Sequence, residues 1–212
     1  MGYPRNVILN CSEDERMHFI EKYEPDTTKT LVSKLKGGSY DNVFIYLPTW
    51  RDSQRDFFSH DFDLKALDET MRQCNTLLLL KPHANVEVEA STVEGLSNVE
   101  FVRSSVDIYP VLPYTDVLIT DYSSVLYDYV LMEQKGMILY LYDFQEYEKE
   151  RNFTRAFDDL AFGKRVFDFA SLLTTIREGD YMMEEAERKA FARKCWGLDS
   201  KNASESIGLF FQ

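Results

Sequence analysis

The chain has 212 residues, 44% of them hydrophobic and 14% aromatic, enough for one full domain with a real core plus a smaller appendage. Its formal net charge of −12 argues against a general nucleic-acid binder or a polybasic membrane surface, although a phosphate ligand needs only local positive potential. Cys11, Cys74 and Cys195 are odd in number and widely spaced, which fits neither a disulfide framework nor a zinc site and points to a reducing, cytosolic compartment.

The opening residues MGYPRNVILN lack the apolar stretch of a signal peptide, and no apolar run approaches the ~20 residues of a membrane span. Met1-Gly2 stands at the head of what reads as a mid-protein loop, as though an initiating methionine had been placed on a fragment. Pro4 biases Tyr3 towards extended backbone. Asp14–Tyr23 reads as a helix and Leu31–Leu35 as a second, short one before the Gly37-Gly38 break. Residues 1–40 are therefore expected to form an entry segment packed on a domain that occupies residues 41–212.

From Asn42 onward short β-rich runs alternate with amphipathic stretches. Strands are expected at Val43–Leu47, Leu77–Lys81, Val99–Val102, Val117–Thr120 and Met137–Leu141, and helices at Leu64–Cys74, Val86–Leu96, Ile108–Tyr114 and Ser124–Glu133. Runs such as LLLLK and DVLIT lack period-2 alternation, as expected of strands covered on both faces. This rhythm specifies a three-layer α/β fold, a Rossmann-like parallel sheet with right-handed crossovers. After Arg165 the pattern is mainly helical (Phe169–Glu178, Glu184–Lys194, Lys201–Phe211), with caps and charge but no chemical signature.

In open α/β sheets ligands bind beyond the carboxyl ends of the strands. Three strand ends here carry polar residues suited to one anionic ligand: Pro48-Thr49-Trp50-Arg51-Asp52, Lys81-Pro82-His83, and Thr120-Asp121-Tyr122-Ser123-Ser124. Arg51 offers a planar fork for phosphate and Thr49 a hydroxyl. The same segment also reads as a turn in which Asp52 pairs with Arg51 and Trp50 packs. Lys81 and His83 follow a buried strand; His83 could stabilise or orient a phosphate, or both residues could be ordinary loop residues. Ser123 and Ser124 are placed to cap a helix whose first-turn N–H groups and partial positive charge attract anions, and they could equally be plain N-caps. Asp121 reads as a carboxylate that holds the turn, and Asp128 as an exposed or loop-bonding residue. There is no P-loop, GxGxxG, nucleophile elbow, metal-ligand spacing or convincing nucleophile–base pair, so the pattern asks for no cofactor and no metal.

In order and spacing, YLPTWRD, LLKPH, VLITDYSSVLYDYVL and LYLYDFQEYEKERNF resemble the CDP-glycerol glycerophosphotransferases, the teichoic-acid and capsule polymerases and primases of bacteria. GYPRN resembles the segment by which that family passes from its first Rossmann-like domain into its second. The resemblance runs from Gly2 to about Asp168, and it implies the C-terminal, donor-binding half of a two-domain GT-B transferase. It implies a CDP-glycerol or similar CDP-polyol donor, a lipid-linked polymer acceptor and a missing N-terminal Rossmann-like domain. It also implies a full-length protein at the cytoplasmic face of the bacterial membrane, and no nucleic-acid partner. By the same resemblance His83 is catalytic and contacts the donor phosphates, while Thr49, Arg51, Lys81, Asp121, Ser123, Ser124 and Arg151 bind substrate. Asn152 stands where many relatives have glycine, and Val7 where an aspartate is expected after Arg-Asn, which weakens a contact at Arg151 and a role for Asn6. The family's general base, a histidine in a Trp-His-Gly segment of the first domain, is absent from this chain. Two rival readings are a GT-B glycosyltransferase using a nucleotide sugar, and a non-catalytic α/β binding module such as a receiver. The receiver needs an acidic cluster at its early strand end, where this chain is basic.

Overall fold

The computed structural model describes residues 3–49, 62–82, 94–151 and 157–197. Six strands form one sheet in the order β3-β2-β1-β4-β5-β6, every neighbouring pair parallel. They are β1 Asn42–Leu47, β2 Thr76–Leu80, β3 Val99–Phe101, β4 Val117–Thr120, β5 Gly136–Tyr140 and β6 Lys164–Val166. The five expected strands are all present within a residue at either end. β6, only three residues long, has a polar start that carries no strand pattern.

Both faces of the sheet are covered, as the unbroken apolar runs required. Val43, Ile45 and Leu47 of β1 and Leu77 and Leu79 of β2 face one core, with Leu118, Met137 and Leu139. The alternate residues Phe44, Tyr46, Leu78 and Leu80 face the other, with Val117, Ile119, Ile138 and Tyr140. The first core is closed by α1 (Val7–Asn10), α2 (Glu13–Tyr23) and α3 (Asp26–Lys36) through Leu9, Ile20, Leu31 and Val32. The second is closed by α4 (Leu64–Gln73) and by a helix late in the chain. Tyr3 is extended before Pro4, as expected, and a single 3₁₀ turn (Pro4–Asn6) leads into α1. A capping box between Ser12 and Glu15 starts α2, and Asp63 caps α4 through the N–H groups of Lys65 and Ala66.

Several helices differ from expectation. The 108–114 segment holds only a 3₁₀ turn, Leu112–Tyr114, because Pro113 interrupts it. The helix expected over Ser124–Glu133 is α5, Val125–Tyr129, five residues long. Its carbonyls at Asp128 and Tyr129 are taken by tight turns to Leu131 and Met132 instead of a continued helical ladder. The chain then forms α6 (Phe144–Arg151) and α7 (Phe157–Leu160), both unanticipated. α8 (Phe169–Glu178) and α9 (Glu185–Trp196) follow. α8 packs against α4 on the second core, where Arg177 donates to Thr70 Oγ1 at 2.8 Å. α9 docks on α5, with Arg188 Nη1 on the Val130 carbonyl at 2.6 Å and Trp196 Nε1 on that of Tyr127 at 2.6 Å. The C-terminal helices therefore divide between the two faces. The helix expected over Lys201–Phe211 lies outside the described residues, and of Val86–Leu96 only the end is described, with a turn at Glu94-Gly95.

The α9 docking carries a pH dependence. The Glu185 carboxyl is held down to about 2, first by hydrogen bonds from the buried Arg188 guanidinium and then by the Gln134 N–H. A carboxyl depressed in the folded state adds stability above its ordinary value of 4.5 and loses it as pH falls towards about 2. Because the Glu185 side chain is 40% exposed and solvent screens its charge, Glu185→Gln is expected to cost no more than about 1 kcal/mol near neutrality. Thermal melts of parent and variant should converge across that acid window, and a constant gap would contradict the assignment.

Candidate functional site

The strand order reverses between β1 and β4, so the crevice of this sheet lies at their carboxyl ends. The sequence places Thr49 just beyond β1, Lys81 just beyond β2 and Asp121 just beyond β4, and parallel pairing brings all three to one edge. Two aspartates flanking β4 tie it to β1 at both ends. Asp116 accepts the Val43 N–H at 2.7 Å at the amino end. Asp121 accepts the Thr49 N–H at 3.0 Å, the Thr49 hydroxyl at 2.5 Å and the Tyr122 N–H at 2.6 Å at the carboxyl end. Thr120 Oγ1 adds a bond to the Leu47 carbonyl at 2.6 Å. Asp121 is only 1% exposed. A carboxylate buried this fully needs several donors, and its charge is spent on closing the crevice floor rather than left facing a ligand.

The turn above it presents donors. Ser124 is exposed, and its side chain makes no capping bond. Ser123 Oγ stands 3.5 Å from the Val125 N–H, at the limit of a hydrogen bond. The two serines therefore do not cap α5 as the sequence pattern led one to expect. The reason is the Ser124 backbone, which is already helical (φ −63°, ψ −13°) where a capping residue is extended. The same geometry leaves the Ser123 and Ser124 N–H groups without a partner among the described residues. A five-residue helix contributes little macrodipole. What the turn can offer an anion is thus local: two amides and an exposed hydroxyl.

Lys81 is turned away from this donor set. Its ammonium donates to the carbonyls of Arg103 and Ser104 at 3.2 and 3.1 Å, joining the ends of β2 and β3. Partial burial pulls its pKa below the ordinary lysine value, opposed by the charge of Asp107. Beside the serine turn, Tyr122 stacks on Tyr147 of α6 with ring centroids 3.7 Å apart and donates its hydroxyl to Asp143 at 3.1 Å. That aromatic wall had no signal in the sequence, because α6 was not expected. Arg51 and His83 lie outside the described residues, and Arg151 closes α6. Asp128, expected to be exposed or loop-bonding, is 2% exposed and bonded to Asn6, Tyr109 and Arg5.

Among the described residues, cavities also lie away from the crevice, one of about 420 Å³ between α3 and the end of β3 and one of about 320 Å³ beside Pro4, Phe19 and Tyr109. The first is bordered by charges of both signs, Asp26, Glu100, Lys34 and Arg103. The crevice is the better candidate, because it combines the switch point with donors that have no partner among the described residues. Among the described residues no group of three or more His, Cys, Asp or Glu side chains could hold a metal. None of the described helices is long and apolar enough to cross a membrane.

Comparison with known proteins agrees with the fold. Residues 1–210 match the family model described as CDP-Glycerol:Poly(glycerophosphate) glycerophosphotransferase. The chain is 30% identical over 183 residues to the teichoic acid glycerol-phosphate primase of Bacillus spizizenii, covering 86% of this chain and 46% of the primase. It is 27% identical over 188 residues to the teichoic acid ribitol-phosphate polymerase TarK of Staphylococcus aureus, covering 87% and 35%. Among solved structures it superposes on the wall teichoic acid polymerase TagF with a TM-score of 0.71 and 25% identity, covering 99% of this chain and 50% of that one. A variant of that polymerase soaked with CDPG superposes with a TM-score of 0.70. The chain thus spans about half the length, or less, of the relatives it matches.

Proposed function

The chain belongs to the CDP-glycerol:poly(glycerophosphate) glycerophosphotransferase family, and on that premise we propose that it is the donor-binding half of a transferase moving glycerol phosphate, or a related polyol phosphate, from a CDP-linked donor to a teichoic-acid or capsule-type polymer. The observation that carries the reading is the serine turn at the switch point. Asp121 locks the ends of β1 and β4 together, and the Ser123 and Ser124 amides with the Ser124 hydroxyl are left for a diphosphate. The relatives acting on glycerol phosphate and on ribitol phosphate support a polyol phosphate as the group transferred.

In the proposed reaction a hydroxyl oxygen of the acceptor attacks the donor β-phosphorus in line. The bond from that phosphorus to the bridging oxygen breaks, CMP leaves with the electron pair, and the acceptor proton passes to a base in a preceding Rossmann-like domain. This chain contributes position and charge stabilisation, the terms that dominate phosphoryl transfer. We assign Ser123 and Ser124 to the diphosphate on their geometry, and His83, Arg51 and Arg151 to the same ligand on sequence alone. Thr49 and Asp121 shape the floor, and Lys81 holds the neighbouring loop. Residues 1–40 serve in this reading as the lead-in from the preceding domain, and the whole protein works at the cytoplasmic membrane face, where a lipid-linked acceptor lies.

Calorimetry on this chain is the test. It should bind CDP-glycerol in preference to nucleotide sugars and transfer nothing, with weak affinity because one half of a cleft buries only part of a ligand. Preference for a nucleotide sugar would move the chain to the glycosyltransferases. Transfer by this chain alone would show that the base lies within it.

A further inference from the structure

We propose that Asp128, held by Arg5, Asn6 and Tyr109, is a positioning residue that sets the Ser123–Ser124 turn for the donor phosphates. The inference rests on the reading of that turn given above. It begins from the shortness of α5. A helix of five residues does not hold itself in water, so outside bonds must fix its place. The turn moves with it, because the Ser123 and Ser124 carbonyls accept the N–H groups of Leu126 and Tyr127 at 3.2 and 3.1 Å.

Three anchors on α5 are neutral or backbone-directed. Tyr129 Oη meets Thr115 Oγ1 at 3.2 Å, Trp196 holds the Tyr127 carbonyl, and Arg188 holds that of Val130. Asp128 differs in being a buried carboxylate on the helix itself. It receives Asn6 Nδ2 at 2.7 Å, Arg5 Nη2 at 3.2 Å and the Tyr109 hydroxyl. Arg5 is fixed in turn by the Tyr109 ring, 4.5 Å from its guanidinium carbon, and by the Tyr3 ring at 5.2 Å. The carboxylate is therefore a junction between the lead-in residues 3–6, the loop at Tyr109 and the helix behind the serines.

Packing alone does not explain such a junction, since a buried ion cluster is commonly replaced by apolar residues at no loss of stability. The cluster even carries a cost: Asn6 Oδ1 is buried without a partner among the described residues. What directional bonds supply and an apolar patch does not is one angular setting of a short helix. Here that setting is tied to the segment through which the chain enters the domain.

The test combines amide hydrogen exchange with calorimetry on four proteins: the parent, Asp128→Asn, Ser124→Ala and the double variant. Asp128→Asn should speed exchange of the Leu126 and Tyr127 amides, which bond to the two serine carbonyls, without ligand and weaken CDP-glycerol binding about tenfold. In the Ser124→Ala background its further loss should shrink to about twofold, because both changes act on one contact. Unchanged exchange, or affinity losses that simply multiply, would overturn the proposal. Exchange needs no ligand, so it judges the junction even if the parent binds no CDP-glycerol, a result that would count against the donor site alone. Should Asp128→Asn fail to fold, Tyr109→Phe removes one donor and keeps the carboxylate; it should give a smaller change of the same sign in exchange, and no change would equally overturn the proposal.

Discussion

Asp121→Ala should lower stability by about 3–6 kcal/mol, since two part-buried N–H donors lose a charged acceptor at about 1.5–3 kcal/mol each. The Thr49 and Tyr122 N–H groups would face the vacated space, and water reaches a site that is 1% exposed poorly. The loss falls where β1 and β4 meet, so donor binding should disappear with it. Urea unfolding of the parent, Asp121→Ala and Asp121→Asn checks this. The asparagine variant keeps one acceptor oxygen but turns an NH₂ towards donors, so it should fall between the other two. If Asp121→Ala were within about 0.5 kcal/mol of the parent, as for an ordinary surface substitution, the carboxylate would not be what joins the strand ends.

Ser124→Ala should behave in the opposite way. The hydroxyl is exposed and makes no capping bond, so the melting curve should barely move. An ordinary N-cap would instead cost ~1 kcal/mol when replaced by alanine. Donor affinity should fall by about 1.5–3 kcal/mol, tenfold or more, the worth of a hydrogen bond to a charged phosphate. Calorimetry with CDP-glycerol beside a thermal melt separates the two effects. A lower melting temperature with unchanged affinity would return Ser124 to the role of a cap, and the amides of the turn would then carry the phosphate without it.

The contrast between these two residues shows where sequence reading reached and where it stopped. Unbroken apolar runs at β1, β2, β4 and β5 dictated strands buried on both faces, and a parallel sheet follows from that burial with few alternatives. Parallel pairing in turn obliges Thr49, Lys81 and Asp121 to share an edge, so the location of the candidate site was legible in the order of the motifs. Asp121 as a turn-holding carboxylate was legible too, because a short acid after a strand bonds nearby N–H groups.

What a side chain does within that edge was decided by tertiary structure. Lys81, a cation beside a phosphate motif in sequence, spends its ammonium on the Arg103 and Ser104 carbonyls because the β3 loop passes beneath it. Ser123 and Ser124 fit the pattern of caps, yet α5 stops after five residues, the Ser124 backbone is helical and the Ser124 residue is exposed with no capping bond. Local sequence specifies which residues can cap, but the length of a helix depends on what packs against it. Asp128 illustrates the limit most sharply. Its partners Asn6 and Tyr109 lie 122 and 19 residues away, and no pattern within the DYSSVLYDYV segment records that the lead-in residues fold back onto it. Periodicity and local bonding thus determined the layers and the edge, whereas contacts between distant segments decided which polar groups are consumed by the fold and which are left for a ligand.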